Sequence, residues 1–335
     1  MKMNRRWICS DVWMDILPSF DHAQLGLKMA LLSPRFDILV DKHFDGKSEF
    51  TLWRTIMICK EIGTDVPKLR VFIGANSVEF PLPDRPLPNK IRFNDLRIVY
   101  IDHSVSTFLR ANQQIFDKGT NLNLYVPSAH NANNVQPIWG VFARAIWPIF
   151  ATNIRHFKFP NAAHLDNLRR HISPTILTDF NQLNSIDSYG LLPDGIADDG
   201  PNATAGQALA KWLQIPTKDG QPKRLICCND TSKTKRMINN LKEAFLCATT
   251  SSASYIIRFA LYESTEIGPF ELINERTNEK LTLEKEKEDE NDEWDEKDEY
   301  TNCDWLLKRW QIGKTIQWED KKTDKLNNVS ITLNE

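Results

Sequence analysis

Cys227 and Cys228 stand side by side in the stretch PKRLICCN, close behind Lys223 and Arg224. A thiolate there would be a nucleophile, and neighbouring cations are what lower a thiol's pKa. Adjacent residues of a strand face opposite ways, so the two cannot act as a pair on one face and at least one belongs to a core. His164 and His171 share one side of an expected helix, but no cysteine or carboxylate pattern completes a metal site around them. Asp194, Asp198 and Asp199 in LLPDGIADDGPNAT miss the spacing of a calcium-binding loop. They read as a polar loop in which Thr204 or Asn202 caps the next helix. The basic residues of PKRLICCNDTSKTKR are the best candidates for nucleic-acid contact. They carry no stacked aromatics and no recognised motif, so they read as a solvated helix start. G-x-S-x-G, G-x-G-x-x-G, the Walker loop and H-E-x-x-H do not occur. Only 13 glycines are present, which leaves few places for a phosphate-cradling backbone. No catalytic residue, metal or cofactor is expected.

The composition restricts the class further. The chain has 335 residues, 41% of them hydrophobic and 10% aromatic, ample for a large core. The net charge of −2 gives no global field toward nucleic acid or membrane, so neither is expected as a partner. No run of 18 apolar residues exists, so no transmembrane helix is expected. Asp11 and Asp15 interrupt the apolar N-terminal stretch, which argues against a secretory leader. The six cysteines, at 9, 59, 227, 228, 247 and 303, form no regular framework and read as reduced thiols of a cytoplasmic or nuclear protein.

The elements that must position any site fall into two parts. Near the N-terminus, SDVWMDILPSF predicts a short helix capped by Ser10 or Asp11 and stopped at Pro18. Leu25, Met29 and Leu32 predict a second helix by their spacing. Ser33 and Pro34 are a strong start signal for a third, whose apolar face is Phe36, Leu39, Val40 and Phe44. From residue 96 strands and helices alternate through SYIIRFALY, which predicts βαβ units and a mostly parallel sheet. The uneven repeat suits an arc akin to leucine-rich repeats, or an ordinary closed α/β domain. A hairpin is expected at FELINERTNEKLTLEKE, and the tail CDWLLKRWQIGKTIQWED should fold back on the main domain and pair its final strands with the hairpin. Residues 284–299 carry 11 acidic and 3 basic side chains, leaving about +6 on the rest, and read as a solvated loop. The expected organisation is a helical module at 8–48, a connector at 49–95 and a β/α domain at 96–283. An acidic loop at 284–300 and a packed C-terminal segment at 301–335 complete it.

The first part, ICSDVWMDILPSF…LGLKMALLSPRFDILV, resembles the F-box. Ile8 stands where that module opens with leucine, Asp11 and Val12 match, and Ile16 and Leu17 supply its Ile-Leu pair. Leu25 matches the opening of its second helix, and Ser33 and Phe36 match its later segment. Cys9 replaces the usual proline, and Phe36 replaces the commoner tryptophan. Over roughly residues 8–285 the chain resembles the divergent F-box-like protein family of plant-parasitic nematodes. GLKMALLSPRFDILVDKHF, IDHSVSTFLRANQQIFDKGTNL, LAKWLQIPTKDGQPKRL and IIRFALY…GPFELINERTNEKLTL carry that likeness. The resemblance implies a non-enzymatic substrate receptor of an SCF-type cullin–RING ubiquitin ligase. Its F-box would dock a Skp-type adaptor, and through it a cullin, using Ile8, Val12, Trp13, Ile16, Leu17, Leu25, Pro34 and Phe36. Its β/α domain would bind a target protein. The competing expectation is a β/α interaction module whose N-terminal helices are only a structural cap.

Overall fold

The computed structural model describes residues 8–20, 24–44, 50–61, 63–73, 76–87, 91–116, 119–125, 136–194, 196–228, 231–262, 267–286, 302–314, 316 and 327–332. Its frame is one mixed sheet of thirteen strands. In chain order these are β1 (Phe50–Lys60), β2 (Pro67–Ile73), β3 (Asn76–Pro81), β4 (Ile91–Ile98) and β5 (Thr120–Tyr125). Next come β6 (Ile154–Phe159), β7 (Ser185–Tyr189), β8 (Lys223–Cys228) and β9 (Tyr255–Tyr262). The last are β10 (Phe270–Asn274), β11 (Glu279–Lys285), β12 (Asn302–Gln311) and β13 (Asn327–Thr332). Across the sheet the order is β10-β11-β12-β9-β8-β7-β6-β5-β13-β4-β1-β2-β3. Every neighbour from β9 to β1 is parallel. The five pairings outside that block are antiparallel and finish both ends of the sheet as meanders.

Three expectations need correction. Residues 49–95, read as a connector, contribute β1, β2, β3 and part of β4 to the sheet. Pro67 opens β2, Pro81 closes the edge strand β3, and Pro83 and Pro86 lie beyond it, positions that proline tolerates in a sheet. The tail pairs with the hairpin only through β12. Its last strand, β13, lies between β4 and β5, parallel to both. The acidic stretch begins inside β11, since Glu284 and Lys285 end that strand; 287–299 lies outside the described residues. The hairpin itself turns at Asn278, whose φ of 54° is a conformation asparagine tolerates better than most residues.

Helices follow the strands as the 3.6-residue pattern predicts. They are α1 (Ser10–Ile16), α2 (Pro34–His43), α3 (His103–Ala111), α4 (Gln136–Val141) and α5 (Trp147–Phe150). Then come α6 (Ala162–His171), α7 (Ile176–Asp179), α8 (Ala205–Gln214) and α9 (Thr231–Cys247). Between α4 and α5 the chain widens into a π turn over Phe142–Ile146, just ahead of Pro148. Proline lacks an N–H and its ring crowds the carbonyl four residues back, so the ladder shifts there.

The core lies on one face of the sheet. Leu96 and Ile98, Leu122 and Leu124, Phe157 and Phe159, Leu225 and Cys227, and Ile257 and Phe259 are buried at alternate positions. They join one contiguous apolar cluster with helix residues such as Trp139, Trp212 and Phe245. Trp147, Phe157, Phe159 and Phe180 meet there with ring centroids 5.2–6.4 Å apart. Ile256 and Leu306 are also buried, but they sit on the opposite face and lie outside that cluster.

Candidate docking surfaces

The N-terminal unit buries part of its apolar residues in the same cluster as the sheet's core and leaves others outside it. α1 carries no side-chain cap: Cys9 occupies the cap position, and neither Ser10 nor Asp11 fills the role expected of it. Pro18 ends α1 in a tight 3₁₀ turn, Leu17–Ser19, as its missing N–H requires. The expected second helix is a π turn, Leu25–Met29, running into a 3₁₀ turn, Ala30–Leu32. That winding keeps Leu25 and Met29 buried and rotates Leu32 into solvent, off the expected stripe. α2 starts as predicted, with Ser33 Oγ accepting from the Phe36 N–H and Pro34 in the first turn. Leu39, Val40 and Phe44 are buried beneath it.

Two contacts bring the starts of α1 and α2 together. Arg35 Nη2 donates to the Ile8 carbonyl at 2.6 Å. The rings of Trp13 and Phe36 meet edge to face with centroids 4.8 Å apart. Of the residues assigned to adaptor docking, Leu17 and Leu25 lie wholly inside the unit. Trp13, Ile16 and Phe36 are half-buried, and Pro34 is exposed. Ile8 (45%), Val12 (47%), Leu32 (57%) and Ile38 (68%) expose much of their surface. The spacing argument missed Leu32 and Ile38; for Ile38 the signal was an apolar residue on the polar side of the α2 wheel.

The second surface is the sheet face opposite the core. Sequence reasoning did not single it out, although the signal is present: polar residues alternate with apolar ones in NLNLY, HFKF and NVSIT. From β4 to β7 this face presents Asp95 and Arg97, Asn328 and Ser330, Asn121 and Asn123, His156 and Lys158, then Ser185 and Asp187. Register aligns them in rows, for example Asp95–Asn328–Asn121–His156–Ser185. Asn121 Nδ2 donates to Asn328 Oδ1 at 2.8 Å, and Asn123 Nδ2 donates to Ser330 Oγ at 3.3 Å. Thr55 Oγ1 and Arg97 Nε each donate to Asp95 Oδ2 at 3.1 Å. His156 Nε2 lies 3.6 Å from Asp187 Oδ2, and Lys158 Nζ lies 3.9 Å from the same oxygen. Burial pushes the His156 pKa down, Asp187 opposes it and Lys158 reinforces it. Nearer β11, Glu284 pairs with Lys308, and Glu286 takes Arg258 Nε at 2.9 Å. Charges on this face are thus largely met by neighbours of opposite sign.

The residues first considered for chemistry do other work. His164 Nδ1 and Asn161 Oδ1 lie 2.8 Å apart, and the ring packs on Trp139. Burial lowers its pKa to about 4, so it is neutral at pH 7 and Nδ1–H donates to Asn161. Among the described residues no group of three His, Cys, Asp or Glu could hold a metal ion. Cys227 is wholly buried in the core. Asp198 Oδ1 accepts from the Gly200 N–H, and Asp199 Oδ2 accepts from Thr178 Oγ1. Thr204 forms the capping box of α8 with Gln207. Gly206 is required next to it, because a Cβ there would meet the Leu192 carbonyl oxygen at 2.9 Å.

A pocket of about 480 Å³ opens at the N-terminal ends of β6, β7 and β8, lined by Arg155, Asn184, Thr217 and Lys223 among others. Lys223 is buried, which pushes its pKa down to about 7. Its Nζ donates to the Trp212 carbonyl in the last turn of α8 and lies over the Trp212 ring. It thereby meets a carbonyl of the last turn that also accepts from the Ile215 N–H, at the negative pole of the helix. No described helix is long and apolar enough to cross a membrane.

Compared with protein-family models, with curated proteins and with solved structures, the chain finds no significant match in any of the three.

Proposed function

We propose that this chain is a substrate-receptor subunit of an SCF-type cullin–RING ubiquitin ligase, acting in the cytoplasm or nucleus. The N-terminal unit docks a Skp-type adaptor, and the β/α units, arranged as a leucine-rich-repeat-like arc, hold a target protein on the polar face. The observation that carries this reading is the exposed set Ile8, Val12, Leu32 and Ile38 around the abutting starts of α1 and α2. Burying an apolar side chain contributes roughly 1.5–3 kcal/mol, so a partner covering several of them gains substantial affinity. Leu17 and Leu25 then support the docking surface from beneath instead of touching the adaptor.

The test is co-purification with a Skp-type adaptor and cullin. Wild type is expected to be retained. Val12→Asp with Ile38→Asp should weaken retention at least about a hundredfold, roughly 2.7 kcal/mol, with unchanged circular dichroism. Failure of the wild type to bind any adaptor sinks the ligase reading.

A second reading has its own support. Leu17, Leu25, Leu39 and Phe44 belong to the same contiguous cluster as the sheet's core. In that reading the helices close one part of a protein-interaction domain and recruit nothing.

A further inference from the structure

Arg155, Asn184 and Lys223 lie level at the starts of β6, β7 and β8, one position before the row His156, Ser185 and Arg224. Two residues further along each strand stands a wholly buried core side chain, Phe157, Ile186 or Leu225. The three polar residues therefore continue the core face beyond its apolar part, and there they line the cavity of about 480 Å³. That volume suits a small molecule. Leu177, Phe180 and Ile215 supply apolar wall, and Lys218 is an exposed member of the lining. Among the described residues, neither the Arg155 nor the Lys218 side chain has a hydrogen-bond or ion-pair partner.

Lys223 is the unusual member, a lysine only 4% exposed. Its Nζ donates to the Trp212 carbonyl and lies 4.7 Å from the centroid of the Trp212 ring. That carbonyl already accepts from the Ile215 N–H, so the helix end does not need the lysine. Asp219, the one acidic residue among those lining the cavity, accepts from the Gln221 N–H. Burial, with no charged neighbour contributing, lowers the Lys223 pKa to about 7. At that pH about half of such amines are neutral, against roughly one in 2,500 for an ordinary lysine. A neutral amine has two N–H groups and a lone pair. The Trp212 carbonyl takes one N–H and the ring can face the other, which leaves the lone pair on an amine that lines a cavity. Desolvated lysines of this kind attack carbonyl carbons.

We infer that this cavity is a covalent binding site for a small aldehyde that carries a carboxylate, with Lys223 Nζ as the nucleophile and Arg155 as the partner of the anion. The nitrogen lone pair attacks the carbonyl carbon, the C=O π pair moves to oxygen, and a proton passes from nitrogen to that oxygen to give a carbinolamine. Loss of water leaves the imine, so amine and aldehyde become imine and water without oxidant or reductant. Hydrolysis reverses the step. Arg155 and Lys223 stand two strand steps apart, roughly 10 Å at about 4.8 Å per strand, which leaves room for a few carbons between their side chains. A guanidinium holds a carboxylate through two parallel hydrogen bonds. The site is independent of the ligase reading, since it uses neither the N-terminal unit nor the polar face.

The probe is 4-oxobutanoate, with butanal as its uncharged counterpart of equal carbon length. The full chain is incubated with each at pH 7, imines are trapped with cyanoborohydride, which delivers hydride to the imine carbon, and labelled peptides are quantified by mass spectrometry. With 4-oxobutanoate, Lys223 should label at least about tenfold faster than Lys218, which shares the cavity but is exposed. Lys223 should prefer 4-oxobutanoate over butanal by about tenfold, and Arg155→Ala should remove that preference. Lys223→Met keeps the length of the side chain and should lose the label with an unchanged melting curve. Wild-type Lys223 labelling no faster than Lys218, or equally with both aldehydes, overturns the proposal whatever the stability of the variants. A preference that survives Arg155→Ala overturns the assigned partner of the anion.

Discussion

The N-terminal helices and the second face of the sheet both meet solvent, and they do so with opposite chemistry. The helical unit exposes Val12, Leu32 and Ile38, while the sheet face carries a largely half-buried lattice of Asn, Ser, His, Lys and Asp, several of whose members bond one another. Size explains part of the contrast. A unit of about 35 residues cannot cover all its apolar side chains even where some of them join the sheet's cluster, whereas the thirteen-stranded sheet packs a large core against one of its faces. Alternation explains the rest: a strand separates apolar from polar residues with every step, and a short, irregularly wound helix does not. Under the proposed function the first surface would be covered through apolar contact and the second through polar contact.

The comparison can be broken most sharply at Leu17, which is wholly buried. Leu17→Asp places an unpaired carboxylate in an apolar site and should cost about 3–5 kcal/mol or more. If the unit is a separate docking module, proteolysis should release residues 8–44 while the circular dichroism of the β/α part survives. If one cooperative transition is lost instead, the shared cluster governs both regions and the two surfaces are not independent.

Acid should act next, on the covered side. His164 has a folded pKa of about 4 against about 6.5 unfolded, so the unfolded chain binds the extra proton first. Its contribution is complete above pH 6.5 and is lost as pH falls toward 4, by up to about 3 kcal/mol. Denaturant melts at pH 7 and 4.5 measure it, and His164→Gln should flatten that acid dependence. A slope unchanged by this substitution would assign the acid sensitivity elsewhere, with His156 on the polar face as the next group to replace.

The lattice itself is probed at Asn121. Asn121→Ala strands the Asn328 amide oxygen and should lower stability by about 1–2 kcal/mol in urea unfolding. A neutral outcome would mean that water substitutes freely and that this face is less ordered than its bonds suggest. The smallest effect belongs to the half-exposed pair Lys280–Glu271, 2.7 Å apart on the hairpin. Lys280→Ala should change stability by less than about 1 kcal/mol, and less still at high salt.

Local signals were legible where one residue type dictates one geometry. Ser33 with Pro34 starts α2, Thr204 caps α8, and Asn278 turns the hairpin, because each acts on its nearest neighbours in the chain. The alternation from residue 96 onward likewise announced a mostly parallel sheet. The winding of 25–32 was not legible. A stripe at i, i+4, i+7 presumes 3.6 residues per turn, and packing selected a π turn followed by a tighter one.

By itself, then, the sequence determined the alternation of strands and helices, the polarity of each strand's two sides and the apolar excess of the first 44 residues. These follow from periodicity and from side-chain chemistry, which act over a few residues. Tertiary structure decided that β1–β3 belong to the sheet, that both ends finish in antiparallel meanders, and that β13 lies between β4 and β5. Strand order depends on which edges remain unpaired when distant segments meet, and six residues such as NNVSIT carry no mark of the position they will fill.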